Sequence, residues 1–520
     1  MTIIQRRLML LFFFLLFILT APIIILFAQG YRFDSNGKIF VYSGSITIKS
    51  IPSLVDISID GKEYPQKKLK IINNSYTIGG LRPGKHTIRC EKPGYTSWEK
   101  TIKVTSGIST EFWNVILFPL DSSFRKQTTF DSQPVDQFFL SPRNNNELVY
   151  LNQTADKVSV KLLDTKKNET IEIFNSTDLI LLKPEEKENV EWSSDNKSIL
   201  IPFRKKTAPE EKEYVVAKIK KDQLENDIYL STLFAQKNDH LANSAKIKTN
   251  NNLKTKVDES SSKIFKVRWM FDKNNELVIL TNDKKLYYLN TEKPEEKILL
   301  DDNVSAFNFA GNRIYYTQAP NHLVWEIKNN DPETKRQITY QPIETHADFV
   351  QLDVYDEYRI AIQTQEGSLT LFNQEKETAE VRYDQLGQNI KGIQFSNDGK
   401  KLLYWTENEI WLAILRDWEV QPTKTKGEKI FITRFSQPIK NVQWMETYEN
   451  IVFNVGKFLK SAEMDNRDRV NIVDIMTFQT TPADREIFYN KNNQTLFFID
   501  SPERKINSAL LIEKPGILGF

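Results

Sequence analysis

Few residues in this chain are equipped for chemistry. It contains four histidines (His86, His240, His322 and His346) and one cysteine, Cys90. The histidines are scattered without metal-ligand spacing, so no imidazole metal centre is expected. A lone thiol can form neither an intramolecular disulfide nor a cysteine zinc site. No Gly-x-Ser-x-Gly elbow is present to seat a serine nucleophile. Gly79-Gly80 runs into Leu-Arg-Pro and reads as a turn rather than a phosphate loop. Carboxylates remain, and a glycosidase needs two of them on either side of one bond. With 68 acidic residues, chance neighbours in sequence are unavoidable.

The most suggestive acidic stretch is "FSNDGKKLLYW", from Phe395. Asp398 and Gly399 are adjacent there, so the spacing Ser-x-Asp-x-Gly of a sialidase box is not met. An Asp that accepts from nearby backbone N–H groups, followed by a Gly free to take positive φ, is the chemistry of a tight turn. No catalytic, cofactor-binding or metal-binding residue is therefore expected, and no cofactor. The alternative, a propeller glycoside hydrolase or lyase acting on cell-surface carbohydrate, would require carboxylates to converge in a funnel.

The charge balance narrows the partners. Seventy basic residues face 68 acidic ones, a formal net charge of +2, which lacks the basic excess of a nucleic-acid-binding face. The stretch Leu8–Phe27 reads "LMLLFFFLLFILTAPIIILF": 20 residues, none charged and 16 of them Leu, Ile or Phe. As a helix it spans roughly 30 Å, the apolar thickness of a bilayer. Leu8, Phe12, Leu16, Leu19, Ile24 and Phe27 would face lipid. Arg6 and Arg7 predict a cytoplasmic N-terminus, and Tyr31 and Phe33 fall where an aromatic belt would sit. The run exceeds a signal-peptide core, and Phe27-Ala28-Gln29 lacks a small-x-small cleavage site, so a retained single-pass anchor is expected.

After a polar connector come short period-two strands. "VDISIDG" ends in Asp60-Gly61, a hairpin signal, and further turns follow at Pro83-Gly84 and Pro93-Gly94. About 60 residues of this texture predict a small β-sandwich. The order "IPSLVDISIDGK … GLRPGKHTIRCEKPGYTSWEKTIKV" resembles the PEGA domain at Pro52, Asp60, Gly61, Leu81, Pro83, Gly84, Gly94, Tyr95 and Trp98. "EYPQKK" replaces the usual Gly-Thr-Pro after the Asp-Gly turn. The resemblance implies an interaction or spacer module without catalytic residues. Tyr95 and Trp98 are expected to fill the small core rather than stack on a glycan, and His86 to be an ordinary surface histidine.

From about Ser122 a strand-turn-strand unit recurs. Apolar strands begin at Leu148, Ile199, Leu277, Ile314, Arg359, Leu402, Ile451 and Leu496. Several follow a hydrophobic-x-aromatic lead-in: "VEWSSDNK", "VRWMFDKNN", "IQFSNDGKK" and "VQWMETYEN", which place Trp192, Trp269, Phe395 and Trp444 at one repeat position. Such a period predicts four-stranded blades that bury their faces only against one another. "IQFSNDGKKLLYW", with Asp398-Gly399, resembles the WD40-like repeat of TolB-type propellers, with Asn397 in place of Pro.

The expected fold is all-β after an N-terminal transmembrane helix, ending in a β-propeller of seven or eight blades. The expected boundaries are a cytoplasmic N-terminus at 1–7, helix 8–28, connector 29–43, PEGA-like sandwich 44–105, linker 106–121 and propeller 122–520, with a charged insertion at about 204–263. This order resembles bacterial membrane-anchored envelope proteins. It implies an extracytoplasmic, non-enzymatic binding scaffold for envelope proteins or glycans, held in the cell membrane by one helix.

Overall fold

The computed structural model describes residues 3–34, 39–64, 75–120, 127–130, 132–183, 186–219, 227–235, 263–343, 345, 349–375, 383–500 and 502–512. His240, His346 and much of the charged insertion lie outside them. Part of that insertion is blade: Lys212–Lys218 and Ile228–Tyr229 are strands, and Leu230–Phe234 forms a short helix.

Residues Ile3–Ala28 form one helix with no buried residue, as an apolar surface with no protein partner must. It is long and apolar enough to cross a membrane. Pro22 lies inside it. The connector expected at 29–43 contains a hairpin, Tyr31–Asp34 paired antiparallel with Ile39–Tyr42. Alternation places Tyr31 opposite Tyr42 and Phe33 opposite Phe40, with ring centroids 5.3 and 5.5 Å apart. Tyr42 packs so closely on Gly107 that a Cβ there would lie 2.5 Å from its ring. Helix and sandwich are thus joined by packed structure.

The sandwich stacks a sheet of Lys62–Tyr64, Asp56–Ile59, Gly84–Glu91 and Trp98–Val104 on one of Ser75–Leu81, Gly44–Ile51 and Ser109–Ile116. Between Ile59 and Lys62, Asp60 and Gly61 both take positive φ (52° and 77°), as a type I′ hairpin turn requires. Ile46, Ile48, Ile57, Ile88, Trp98 and Val104 fill the space between the sheets. The last strand was not anticipated. Ser109–Ile116 pairs in parallel with Gly44–Ile51, so most of the expected linker at 106–121 belongs to the sandwich.

Eight further sheets follow among the described residues. Blades 1 to 7 begin with the strands Gln137–Leu140, Leu179–Leu181, Ile264–Trp269, Val304–Ala310, Gln351–Asp356, Gly392–Phe395 and Ile439–Trp444. We letter strands A to D outward from the channel. Each of the eight apolar strands read from the sequence is a strand B. Blade 8 takes three strands from residues 487–510 and its fourth, Thr128–Thr129, from the start of the region. This pairing joins the two ends of the ring and protects a sheet edge. Every neighbouring pair of blades shares its own apolar cluster, and blade 8 meets blade 1 through Phe497, Ile499 and Ile506 against Phe138, Leu148 and Tyr150.

Candidate functional site

The repeat turns define one face of the ring. In blade 6, Ser396 Oγ donates to Asp398 Oδ1 (2.6 Å), Lys400 N donates to the same oxygen (3.0 Å), and Gly399 has φ 63°. Burial opposes ionisation of Asp398, but these donors and the nearby lysines hold its carboxyl below the usual range. Blade 2 repeats the turn. Ser193 Oγ donates to Asp195 Oδ1 (2.7 Å), Lys197 N donates to Asp195 Oδ1 (3.1 Å), and Asn196 takes φ 60°. Two blades thus build one A–B turn from Asp with Gly, or Asp with Asn.

The middle residue of each lead-in motif does work that the sequence reading overlooked. Apolar and aromatic neighbours turn into the interblade clusters, so the residue between them must face the channel. There it bridges to the next blade. Glu191 accepts from Arg268 Nε (2.6 Å) and Trp269 N (3.0 Å). Arg268 donates onward to Asn308 (2.5 Å), and Asn308 to Leu352 O (2.7 Å). Gln394 donates to Val442 O (3.3 Å), and Gln443 to Ile487 O (2.8 Å). The recurrence of Glu, Arg, Gln and Gln at one repeat position was the available signal.

The sandwich docks on the C–D loops of blades 6 and 7. Lys100, wholly buried, reaches from the sandwich into the loop 464–471 of blade 7. Its Nζ lies 2.7 Å from Glu463 Oε1 and donates to the carbonyl oxygens of Asp465 (2.7 Å), Arg467 (2.9 Å) and Arg469 (2.6 Å). Trp98 Nε1 donates to Glu463 Oε2 (2.9 Å), and Thr101 N to Asp468 Oδ2 (2.9 Å). Gln421 of blade 6 clamps Glu111 N (3.0 Å) and Ser109 O (2.8 Å). Arg467 stacks its guanidinium 4.3 Å from the Phe112 ring centre. Burial raises the Glu463 carboxyl above the usual range, against the opposing pull of Lys100. Three carboxylates, Glu449, Glu463 and Asp465, converge at this seam, and each has its own cation: Lys401, Lys100 and Arg467.

The opposite face carries the D–A and B–C loops and the mouth of the channel. Strand A of blade 2 is interrupted between Leu181 and Glu191, and residues 186–190 extend across the opening. Lys187 Nζ donates to Lys391 O (2.5 Å) at the entrance to blade 6, four blades away and so directly across the ring. Arg485, at the entrance to blade 8, donates to Glu188 O. Beside this strap lies an open groove of about 710 Å³ lined by Asn389, Lys391, Asn408, Glu409, Arg434 and Phe435.

The residues picked from sequence separate by role. Leu8, Phe12, Leu16, Leu19, Ile24 and Phe27, with Arg6 and Arg7, lie on the helix Ile3–Ala28. Leu81 and Trp98 are in the sandwich core; Tyr95 packs on its edge. Pro52, Pro83, Gly84 and Gly94 stand in or beside its turns. Trp192, Trp269, Phe395 and Trp444 pack between blades. His86 sits between Asp60 Oδ2 (2.6 Å) and Arg82 O (2.7 Å). Among the described residues a serine–histidine pair, Ser305 Oγ and His322 Nδ1 at 2.8 Å, is sealed inside blade 4 at 0% and 1% exposure, out of reach of a substrate.

Residues 43–115 match the PEGA domain family. Residues 233–445 match the VID27 C-terminal WD40-like domain. The chain carries a PEGA domain followed by a WD40-like β-propeller. No curated protein matches it in sequence. Among solved structures, the Cps50 (Swd1) β-propeller domain of Myceliophteria thermophila is 9% identical, with 74% of this chain and 98% of that one covered and a TM-score of 0.41. The designed protein Ika8 is 10% identical over 74% of this chain and 98% of its own, with a TM-score of 0.44. A eukaryotic initiation factor is 11% identical over 78% and 88%, with a TM-score of 0.43.

Proposed function

We propose that this protein is a membrane-anchored, non-catalytic binding scaffold whose strapped propeller face engages an envelope protein or glycan. The helix Ile3–Ala28 holds the chain in a bacterial cell membrane, with Arg6 and Arg7 on the cytoplasmic side and the β domains outside. The reading rests chiefly on one observation: the PEGA domain is committed to the C–D loops of blades 6 and 7, which leaves the opposite face uncovered by it. A sandwich clamped by a buried lysine sets the direction in which that face points, as an adhesive tip on a flexible tether does not. The pairing of Glu449, Glu463 and Asp465 with cations favours scaffold over glycoside hydrolase, since a general acid or nucleophile must be free to meet substrate.

The test is affinity capture by the intact chain, solubilised from its own membrane. Arg434→Glu in the open groove should abolish recovery of the partners held by the wild-type chain, and Lys426→Glu on the opposite face should not. Equal recovery with all three proteins would sink the assignment of the face.

A further inference from the structure

The sandwich has two ends, and they meet different things. At one, Ile51 and Ile116 pack among residues of blades 7 and 8. The other is built onto the exit of the helix. Ser43 N donates to Gly30 O (3.0 Å), and Gly107 N donates to Ser43 O (3.1 Å). A Cβ on Gly44 would lie 2.5 Å from Val104 Cγ1, and one on Gly80 would lie 3.0 Å from Arg32 Nε. Arg32 in turn donates to the Phe27 carbonyl in the last turn of the helix (3.1 Å) and lies over the Phe27 ring at 4.8 Å. Helix end, hairpin and sandwich end are therefore one packed unit. Leu81 stands opposite Gly44 and Gly84 opposite Val104, so a bilayer around the helix must lie close to the turn 81–84 and to residues 104–108.

This end exposes apolar side chains and cations together. Ile108 follows Gly107, on which Tyr42 lies, and Phe33 is two residues along the hairpin from Tyr31, the partner of Tyr42; Phe33, Tyr42 and Ile108 are all exposed. Lys85 and Lys103 are each one residue in from Gly84 and Val104, about 3.3 Å of strand. They stand directly opposite one another on neighbouring strands, and both are exposed. Like charges at opposite positions destabilise a sheet. Acids of the same sheet pair elsewhere: Asp60 with His86, Glu91 with Arg89 and Glu99 with Arg469. Arg82, exposed in the turn, adds a third cation. A layer of anions laid against this end would offset the repulsion. Lysine stems can lie along apolar surface while their ammonium groups reach the phosphates of an anionic bilayer.

We propose that the helix-proximal end of the PEGA domain seats on anionic phospholipid headgroups, with Lys85, Lys103 and Arg82 at the phosphates and Ile108 and Tyr42 in the headgroup layer. This rests on the reading of Ile3–Ala28 as a membrane anchor. Seating here fixes the tilt of the sandwich and, through Lys100, that of the propeller.

The test uses the intact chain in nanodiscs of phosphatidylcholine, with or without phosphatidylglycerol. An environment-sensitive fluorophore is placed by Ile108→Cys, and a control by Phe271→Cys on the A–B turn of blade 3; Cys90 is wholly buried. A nitroxide on the lipid headgroup should quench the label at 108 in discs with phosphatidylglycerol, much less in phosphatidylcholine alone, and the label at 271 in neither. About 0.5 M sodium chloride should reverse the quenching. Lys85→Gln combined with Lys103→Gln should lower the ratio of quenched to unquenched label about twenty-five-fold, fivefold for each cation. In phosphatidylcholine discs the same double variant should melt at or above the wild-type temperature, because two like charges no longer face each other. Quenching at 108 that is the same in both discs, or unchanged by salt and by the double variant, would overturn the proposal. A chain recovered in the discs with its label at 108 unquenched would refute this surface and leave the anchor standing. A chain that does not enter the discs would refute the anchor and this surface with it.

Discussion

Lys100→Met gives the sharpest test of the docked PEGA domain. The substitution keeps the length and apolar stem of the side chain and removes only the ammonium. Four interactions go with it: the ion pair to Glu463 and the hydrogen bonds to the carbonyls of Asp465, Arg467 and Arg469. What remains is a carboxylate at 7% exposure held by Trp98 Nε1 and Asn471 N. Breaking a buried pair from one side costs about 3–5 kcal/mol. Scanning calorimetry of the intact protein at pH 8 should therefore show the sandwich melting apart from and below the propeller.

The pH dependence has a definite sign. Glu463 is raised above its ordinary value of 4.5 by burial, and Lys100 pulls it back. Without Lys100 it must rise further, so the folded state holds a proton that the unfolded chain gives up above pH 4.5. Stability then falls as pH increases through that window, and the deficit of Lys100→Met should be larger at pH 8 than at pH 5. Adding Glu463→Gln should recover part of the loss, with a coupling of about 1–3 kcal/mol. A deficit under about 1 kcal/mol that is flat between pH 5 and 8 would refute the claim that this contact holds the domains together.

Three other outcomes follow from the turns and the core. Asp398→Asn should cost about 1 kcal/mol or less in denaturant unfolding, because the amide oxygen can still accept in the turn. Gly399→Ala should cost at least about 1–3 kcal/mol, since its φ is 63° and a Cβ would lie 2.3 Å from the Tyr355 ring; a smaller effect than Asp398→Asn would contradict the turn assignment. Cys90 is wholly buried and its thiol is pushed up to about 12, so a thiol reagent should leave the native protein unlabelled and label it fully in denaturant.

Local patterns carried the fold and missed its joins. Continuous apolar runs such as "ELVILT" and "NIVFNV" marked every strand B, because a blade's second strand is buried on both faces and must be apolar throughout. Thr128–Thr129 closes the ring with two residues, too short for any period to register. "STEFWNVI" alternates weakly, and its parallel pairing with a strand 65 residues earlier leaves no mark in local sequence. The roles of Lys100 and Lys187 were hidden for a different reason. One lysine among 70 basic residues looks solvated until a partner domain buries it or a loop carries it across a channel. In the candidate site, Asp398 and Gly399 were readable as punctuation because the turn chemistry is local. The strap's bonds from blade 2 to blades 6 and 8 exist only in the closed ring.

Which face of the propeller engages a partner is measured by site-specific photo-crosslinking in intact membranes, with p-benzoylphenylalanine at Asn389 or Phe435 on the strapped face and at Asn145 or Asn397 on the A–B turns opposite. Discrete partner adducts from Asn389 and Phe435, and none from Asn145 or Asn397, are the expected result. Adducts confined to the A–B turns, or equal on both faces, would contradict it.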